Sequence, residues 1–156
     1  MYITKFCHLV LIICYCGMFA SCASVPKFTI DKNQSDKNQA ESEELQIKYR
    51  NVDNVLETVI GPASYYAEPF HGRQTSNGEI YDMYSLTAAH TTYPPNTIIR
   101  VTNMSNNLKV IIRINDHFPE HPTRIIDLSY GTAEVLDMLD EGVSDVKLEV
   151  LEWGEK

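Results

Sequence analysis

Beyond Cys22 the sequence has no cysteine: Cys7, Cys14, Cys16 and Cys22 all fall within its first 22 residues. A domain built from the remainder has neither an internal disulfide nor a thiol nucleophile. Serine-hydrolase chemistry lacks its signature too, since no Gly-x-Ser-x-Gly occurs. Positive charge is scarce, with 13 Lys and Arg against 21 Asp and Glu, a net charge of −8. That balance argues against nucleic acid, which is held by clustered Lys and Arg, and leaves neutral glycans open as partners. The apolar run from Leu9 to Ala20 falls short of a membrane span and has no stop-transfer flank.

What the N-terminus does contain is Lys5, that short apolar run, and small residues at its end, the pattern of a secretory signal over residues 1–21. Phe19-Ala20-Ser21-Cys22 resembles a bacterial lipobox, which makes Cys22 the expected lipidation site; ordinary cleavage near Ala23 is the alternative. Acyl chains on Cys22 would anchor the protein to a membrane without a spanning helix. Ala23 is not the aspartate associated with inner-membrane retention, so the expected address is the outer membrane, facing the periplasm. Losing residues 1–21 removes Lys5 and no acid, giving a net charge of −9. Residues 22–57 then form a polar segment in which Asp-Lys-Asn-Gln occurs twice. Such a segment cannot bury enough apolar surface to offset its ordering entropy, and a disordered tether is expected, with room for helical turns between Glu41 and Leu56.

Residues 58–152 carry a different pattern. Strand-like stretches run over Val59–Tyr66, Ser85–His90, Thr97–Asn103, Leu108–Asn115, Arg124–Leu128 and Val146–Glu152. Asn77-Gly78, Pro94-Pro95-Asn96, Ser105-Asn106-Asn107 and Pro119 to Pro122 punctuate them. One helix is predicted over Gly131–Leu139, with Ala133, Val135, Leu136 and Leu139 on one side. Six short strands and one helix in under a hundred residues point to a small closed or nearly closed β-barrel, mainly β in class.

The residues able to do chemistry there are Glu79, His90, Asp116, His117 and His121. Asp116 is the best placed, because an aspartate directly after the aliphatic stretch Val110 to Ile114 is held rigidly at a strand end. Glu79 follows a tight turn, where a carboxylate is more often solvated than catalytic. His90 ends a small-residue run, and structural and functional roles weigh about equally for it. His117 and His121 are four apart, but Pro119 and Pro122 forbid the helix that a zinc-protease pair requires, so no metal and no cofactor is expected. Carboxylate acid/base chemistry, the kind that breaks glycosidic bonds, is what remains.

In order along the chain, Gly61-Pro62-Ala63-Ser64-Tyr65-Tyr66, Phe70 to Glu79, Ala88-Ala89-His90, Arg100 to Asn103, Arg113-Ile114-Asn115-Asp116 and Arg124 to Ser129 resemble the domain of the rare lipoprotein A (RlpA) family. The resemblance covers nearly all of residues 59–151. It implies a six-stranded double-psi β-barrel with a short helix and a cleft for the glycan strands of peptidoglycan. The implied activity is endolytic lytic transglycosylation, which parts N-acetylmuramic acid from N-acetylglucosamine without water and leaves a 1,6-anhydro end. Carried over by motif, Asp116 is the catalytic acid/base, with Glu79 and His90 beside it in the cleft. Ser64, Tyr66, Thr75, Asn115 and His117 are the expected substrate-binding residues. Partial burial and the charge of Glu79 are expected to keep Asp116 protonated. A non-catalytic wall-binding lipoprotein, similar to expansins, is the alternative. The expected form is a monomer.

Two departures from the family pattern stand out. Asp116-His117-Phe118-Pro119 replaces the usual Asp-Arg-Gly-Pro, exchanging a fixed cation for a conditional one and a glycine for a bulky ring. The sequence also ends at Lys156 without the glycan-binding repeat domain of many relatives, so a preference for denuded septal glycan is not expected to carry over.

Overall fold

The computed structural model describes residues 31–66 and 68–155; the expected signal sequence and the expected lipidation site Cys22 lie outside them. Six strands close into a barrel: β1 (Glu57–Tyr66), β2 (Thr87–His90), β3 (Ile98–Asn103), β4 (Lys109–Asp116), β5 (Ile126–Ser129) and β6 (Ser144–Glu152). Their order around the barrel is β1-β5-β2-β4-β3-β6. The pairs β1/β5 and β2/β4 are parallel and the other four antiparallel, so the chain must cross over rather than meander. All six predicted strands are present, to within about two residues at either end, and together they form the expected double-psi β-barrel.

Alternation along each strand builds the interior. On β4, Val110, Ile112 and Ile114 point into the core with Ile99, Val101, Ile126, Leu128, Leu148 and Val150. The intervening Ile111, Arg113 and Asn115 face outward. A register shift between Ala88 and Ala89 then pairs Ala88 with Ile114 but Ala89 with Asp116, skipping Asn115. A bulge of this kind re-aims the side chains around it, and here it brings Asp116 onto the outer face alongside Ala89.

Two predicted helical features are corrected by the structure. The helix expected over Gly131–Leu139 is shorter, α1 (Tyr130–Val135), started by the Ser129 hydroxyl accepting from the Thr132 amide. It stops because Asp137 adopts φ 52°; Met138 then turns into the core and Val135 stays exposed. At its start, Gly131 donates to the Met83 carbonyl at 2.8 Å, and a Cβ there would lie 2.4 Å from the Tyr84 carbonyl oxygen. Only glycine permits that approach.

The other lies within the expected linker, where helical turns are expected between Glu41 and Leu56 and the helix present begins earlier. Lys32–Tyr49 is an 18-residue helix, here called α0 because it precedes the barrel, with Asp31 as its N-cap. Its sequence has no apolar stripe, and what fixes it to the barrel is a set of specific contacts. Tyr49 is buried against Ile98, Ile111 and Leu151, and its hydroxyl donates to Glu152. The Gln46 amide accepts from the Ile111 N–H at 3.0 Å and donates to the Ile111 carbonyl, taking the place of a neighbouring strand. Among the described residues no helix is long and apolar enough to cross a membrane.

Candidate active site

The turn after Thr75 sets up the first half of the site. Gly78 takes φ 92°, in the left-handed region that favours glycine. Thr75 and Glu79 then meet across it, the Thr75 amide donating to the Glu79 carbonyl at 2.8 Å. The turn aims Glu79 at β4, where Arg113 donates two hydrogen bonds to it, Nη1 to Oε1 at 2.8 Å and Nη2 to Oε2 at 3.0 Å. Asn115 Nδ2 adds a third at 3.2 Å and Asn77 Nδ2 a fourth at 3.0 Å. Burial works against the charge of Glu79, but Arg113, then Asn115 and Asn77, outweigh it and hold the carboxyl below its usual range. Arg113 reaches α0 as well, with Nε 2.9 Å from Glu41. A cavity of about 250 Å³ lies between α0 and this face, lined by Glu41, Glu79, Asp82, Arg113 and Asn115 among others. A carboxylate with both oxygens bound by one arginine presents far less field to Asp116 than one with an oxygen left free. Glu79 is therefore built to hold Arg113 and Asn115 in place, not to push electrostatically on Asp116.

Asp116 stands at the end of β4, half-buried. Its Oδ1 accepts from the backbone amides of Ser76 and His117, each at 2.8 Å. Oδ2 has no hydrogen-bond partner among the described residues. The 75–79 turn thus does two jobs, placing Glu79 on Arg113 and fixing the Asp116 carboxyl through Ser76.

His90 ends β2, next to Asp116 through the Ala89–Asp116 pairing. Its Nδ1 accepts from the Thr92 and Tyr93 amides at 3.2 and 3.0 Å, which puts the ring proton on Nε2. The ring stacks on Tyr93 with centroids 3.6 Å apart. Burial lowers its pKa to about 4, the charge of Glu57 opposing and that of His117 reinforcing the shift. The folded pKa thus lies below the free value of 6.5, so the unfolded chain binds the proton more readily. Stability from neutral His90 is fully present above about pH 6.5 and drains away as the pH falls toward 4. Urea midpoints measured across that window should fall steeply for the wild type. His90→Asn keeps an acceptor for the two amides without a titrating group, and its acid limb should be flatter. An unchanged slope would contradict the burial of a neutral imidazole.

The remaining expected substrate residues divide. Tyr66 stacks on Tyr81 at 4.4 Å, and its hydroxyl is buried without a partner among the described residues. Burial, the neighbouring Tyr81, and the charges of Asp116 and Asp127 all push the Tyr66 phenol's pKa up. The Ser64 hydroxyl is taken by Asp127 Oδ1 at 2.5 Å. Thr75 is buried, its hydroxyl donating to Asn77 Oδ1 at 2.6 Å. Asn115 is buried as well, so both serve the architecture of the site. His117 donates from Nδ1 to the His90 carbonyl at 3.1 Å, spending on the scaffold the position where the family pattern has arginine. Phe118 is buried and has no positive φ, so the backbone here does not require the family's glycine; the Arg124 guanidinium lies over its ring at 5.2 Å.

Arg113, Asp82 and Asp127 went unassigned in the sequence reading, although Arg113 and Asp127 sit inside its motifs. Arg113 interrupts an aliphatic strand, and that break is the signal that could have marked it. Buried Asp82 accepts from the Tyr84 amide, Ser85 Oγ and Asn38 Nδ2 of α0, at 3.1, 3.1 and 3.2 Å.

Barrel topology defines the class, a double-psi β-barrel, and this one carries an anchored aspartate on its outer face. Residues 58–148 match the family model described as "Lytic transglycolase", and the chain belongs to that family. Over 106 residues it is 51% identical to the endolytic peptidoglycan transglycosylase RlpA of Campylobacter jejuni, covering 68% of this chain and 38% of that protein. The protein of the same name from Helicobacter pylori is 52% identical over 94 residues, 60% of this chain and 30% of its own length. That of Vibrio cholerae is 49% identical over 94 residues, 60% of this chain and 36% of its own length. The chain thus spans about a third of the length of these curated relatives. Among solved structures, the Streptomyces papain inhibitor superimposes with a TM-score of 0.52 at 20% identity, over 63% of this chain and 97% of that one. At that identity the likeness speaks for the fold alone.

Proposed function

We propose that the barrel cleaves peptidoglycan glycan strands by lytic transglycosylation, with Asp116 as the single acid/base. The observation that carries this reading is the Asp116 carboxyl itself, anchored by two backbone amides through Oδ1 and open at Oδ2 on the outer face. In its acid form Asp116 gives its proton to the glycosidic oxygen as the bond to C1 of the muramic sugar breaks. As carboxylate it then takes the proton from the C6 hydroxyl, which closes on C1 to form the 1,6-anhydro ring. The acid is regenerated in the same turnover, and no water is consumed. His90 offers its Nε2 proton to a sugar oxygen, Tyr66 supplies a stacking face and an unspent hydroxyl, and the Glu79–Arg113–Asn115 network keeps β4 rigid beneath them. The relatives named as endolytic peptidoglycan transglycosylases support this reading.

Digestion of purified glycan strands by the soluble barrel should give products whose mass spectra show 1,6-anhydromuramic ends. Intact strands that nonetheless co-sediment with the protein would favour the wall-binding alternative. Cys22 is the proposed lipid anchor, holding the enzyme at the outer membrane on the periplasmic side. Metabolic labelling with a fatty-acid analogue should mark the wild type and not Cys22→Ala; equal labelling of both would remove the anchor from the account.

A further inference from the structure

Asp127 is the charged group of this face for which the proposed mechanism has no use. It lies in one row with Asp116: strand pairing sets Ser64 beside Asp127, Asp127 beside Ala89, and Ala89 beside Asp116. Two strand spacings separate the two aspartates, about 9.5 Å between their backbones. The residue between them is Ala89, whose short side chain stands between the two carboxylates on β2. The two are also held in the same way. Asp116 spends Oδ1 on two amides; Asp127 spends Oδ1 on the Ser64 hydroxyl at 2.5 Å, with Arg124 Nε beside it at 2.5 Å as an ion pair without hydrogen-bond alignment. Neither Oδ2 has a hydrogen-bond partner among the described residues. Arg124 is pinned in turn by the Phe118 ring beneath it. The Tyr66 hydroxyl, buried and unpaired, lies within the field of both carboxylates, which ties them to one site.

We infer that Asp127 is a second catalytic carboxylate, whose free oxygen faces the anomeric carbon from the far side of Ala89 and stabilises the positive charge that develops there. The inference rests on the glycan-cleaving reading above and deepens it. A glycosidic bond breaks through an oxocarbenium-like state, and a fixed negative group near C1 favours that state over the neutral ground state. Asp127 moves no proton in this scheme. Arg124 and Ser64 fix it as an ion-paired carboxylate, while Asp116 carries the single proton from donor to acceptor. The two carboxyls thus divide the work, one electrostatic and one acid/base.

The test is the steady-state kinetics of Asp127→Asn on purified glycan strands, read as kcat and KM separately and alongside the melting temperature. Asparagine keeps the size of the side chain and an acceptor for Ser64, and loses the charge. Preorganised charges of this kind are worth about a hundredfold to a thousandfold in rate. The expected result is a fall of that order in kcat, with KM and melting temperature close to wild type. Asp127→Glu separates this from a merely structural role, because it disturbs the contacts with Ser64 and Arg124 and keeps the negative charge. It should keep most of the turnover that Asp127→Asn loses. Wild-type kcat in Asp127→Asn, or equal losses in both variants with matching falls in melting temperature, would overturn the inference while leaving Asp116 as acid/base. A wild-type protein that cuts no glycan would overturn the functional reading itself.

Discussion

Asp116→Asn should lose turnover on purified glycan strands by about a hundredfold to ten-thousandfold, the range that a general acid/base contributes. The substitution is nearly isosteric. The amide oxygen can still accept from the Ser76 and His117 amides that hold the native Oδ1 at 2.8 Å. The strand end and the turn it anchors should therefore stay in place, and the melting temperature and glycan co-sedimentation should remain near wild type. What disappears is the transferable carboxylic proton, needed by the leaving oxygen first and by the C6 hydroxyl afterwards. Steady-state assays of released ends, read beside a thermal melt, check both halves. Retained turnover would pass the acid/base role to another group, Glu79 first; yet Glu79 is bound by both Arg113 nitrogens and is poorly free to exchange a proton.

Leu148→Ala tests the scaffold with the chemistry left untouched. Leu148 is fully buried on β6, between β1 and β3, and packs into the main core. Truncating a buried leucine costs about 2–5 kcal/mol through lost burial and the cavity left behind. For a domain of this size that lowers the melting temperature by on the order of 10 °C or more. Strand β6 carries none of the residues placed in the cleft, so kcat well below the melting point should hold. A melt within a degree or two of wild type would mean that the core relaxes around the cavity.

The barrel was legible because its signals are local. Alternation, aliphatic strands and turn residues such as Asn77-Gly78 act over a few positions, and each marks one strand or one reversal. The helix α0 was not, because its reasons are distant. Nothing within Lys32–Tyr49 resembles an amphipathic face, and the contacts that order it are made by Ile98, Ile111, Arg113, Leu151 and Glu152, some fifty to a hundred positions further on. The end of α1 is hidden for a related reason: Leu136 and Leu139 continue a helical pattern, but Asp137 leaves helical space and the chain reaches the core by another path.

The cleft shows the same division. Asp116 could be singled out by its place after a strand, and motif likeness gave the candidates Glu79 and His90 their place beside it. That Glu79 spends its charge on Arg113 is a matter of three-dimensional pairing between a turn and an outward strand position. The row from Ser64 through Asp127 and Ala89 to Asp116 depends on strand order and on the bulge at Ala89, neither of which any single stretch of sequence encodes. His117 and Phe118, read as losses against the family pattern, are absorbed by packing: one bonds the His90 carbonyl, and the other supports Arg124.

The central claim is that one carboxyl, Asp116, breaks the glycosidic bond without water. Digestion of glycan strands in water enriched in oxygen-18, followed by mass spectrometry of the new ends, tests it most directly. The account predicts 1,6-anhydro ends that carry no heavy oxygen, because the C6 hydroxyl of the sugar is the nucleophile. New reducing ends carrying oxygen-18 would contradict it, since they would require a water activated by a second base and would make the barrel a hydrolase.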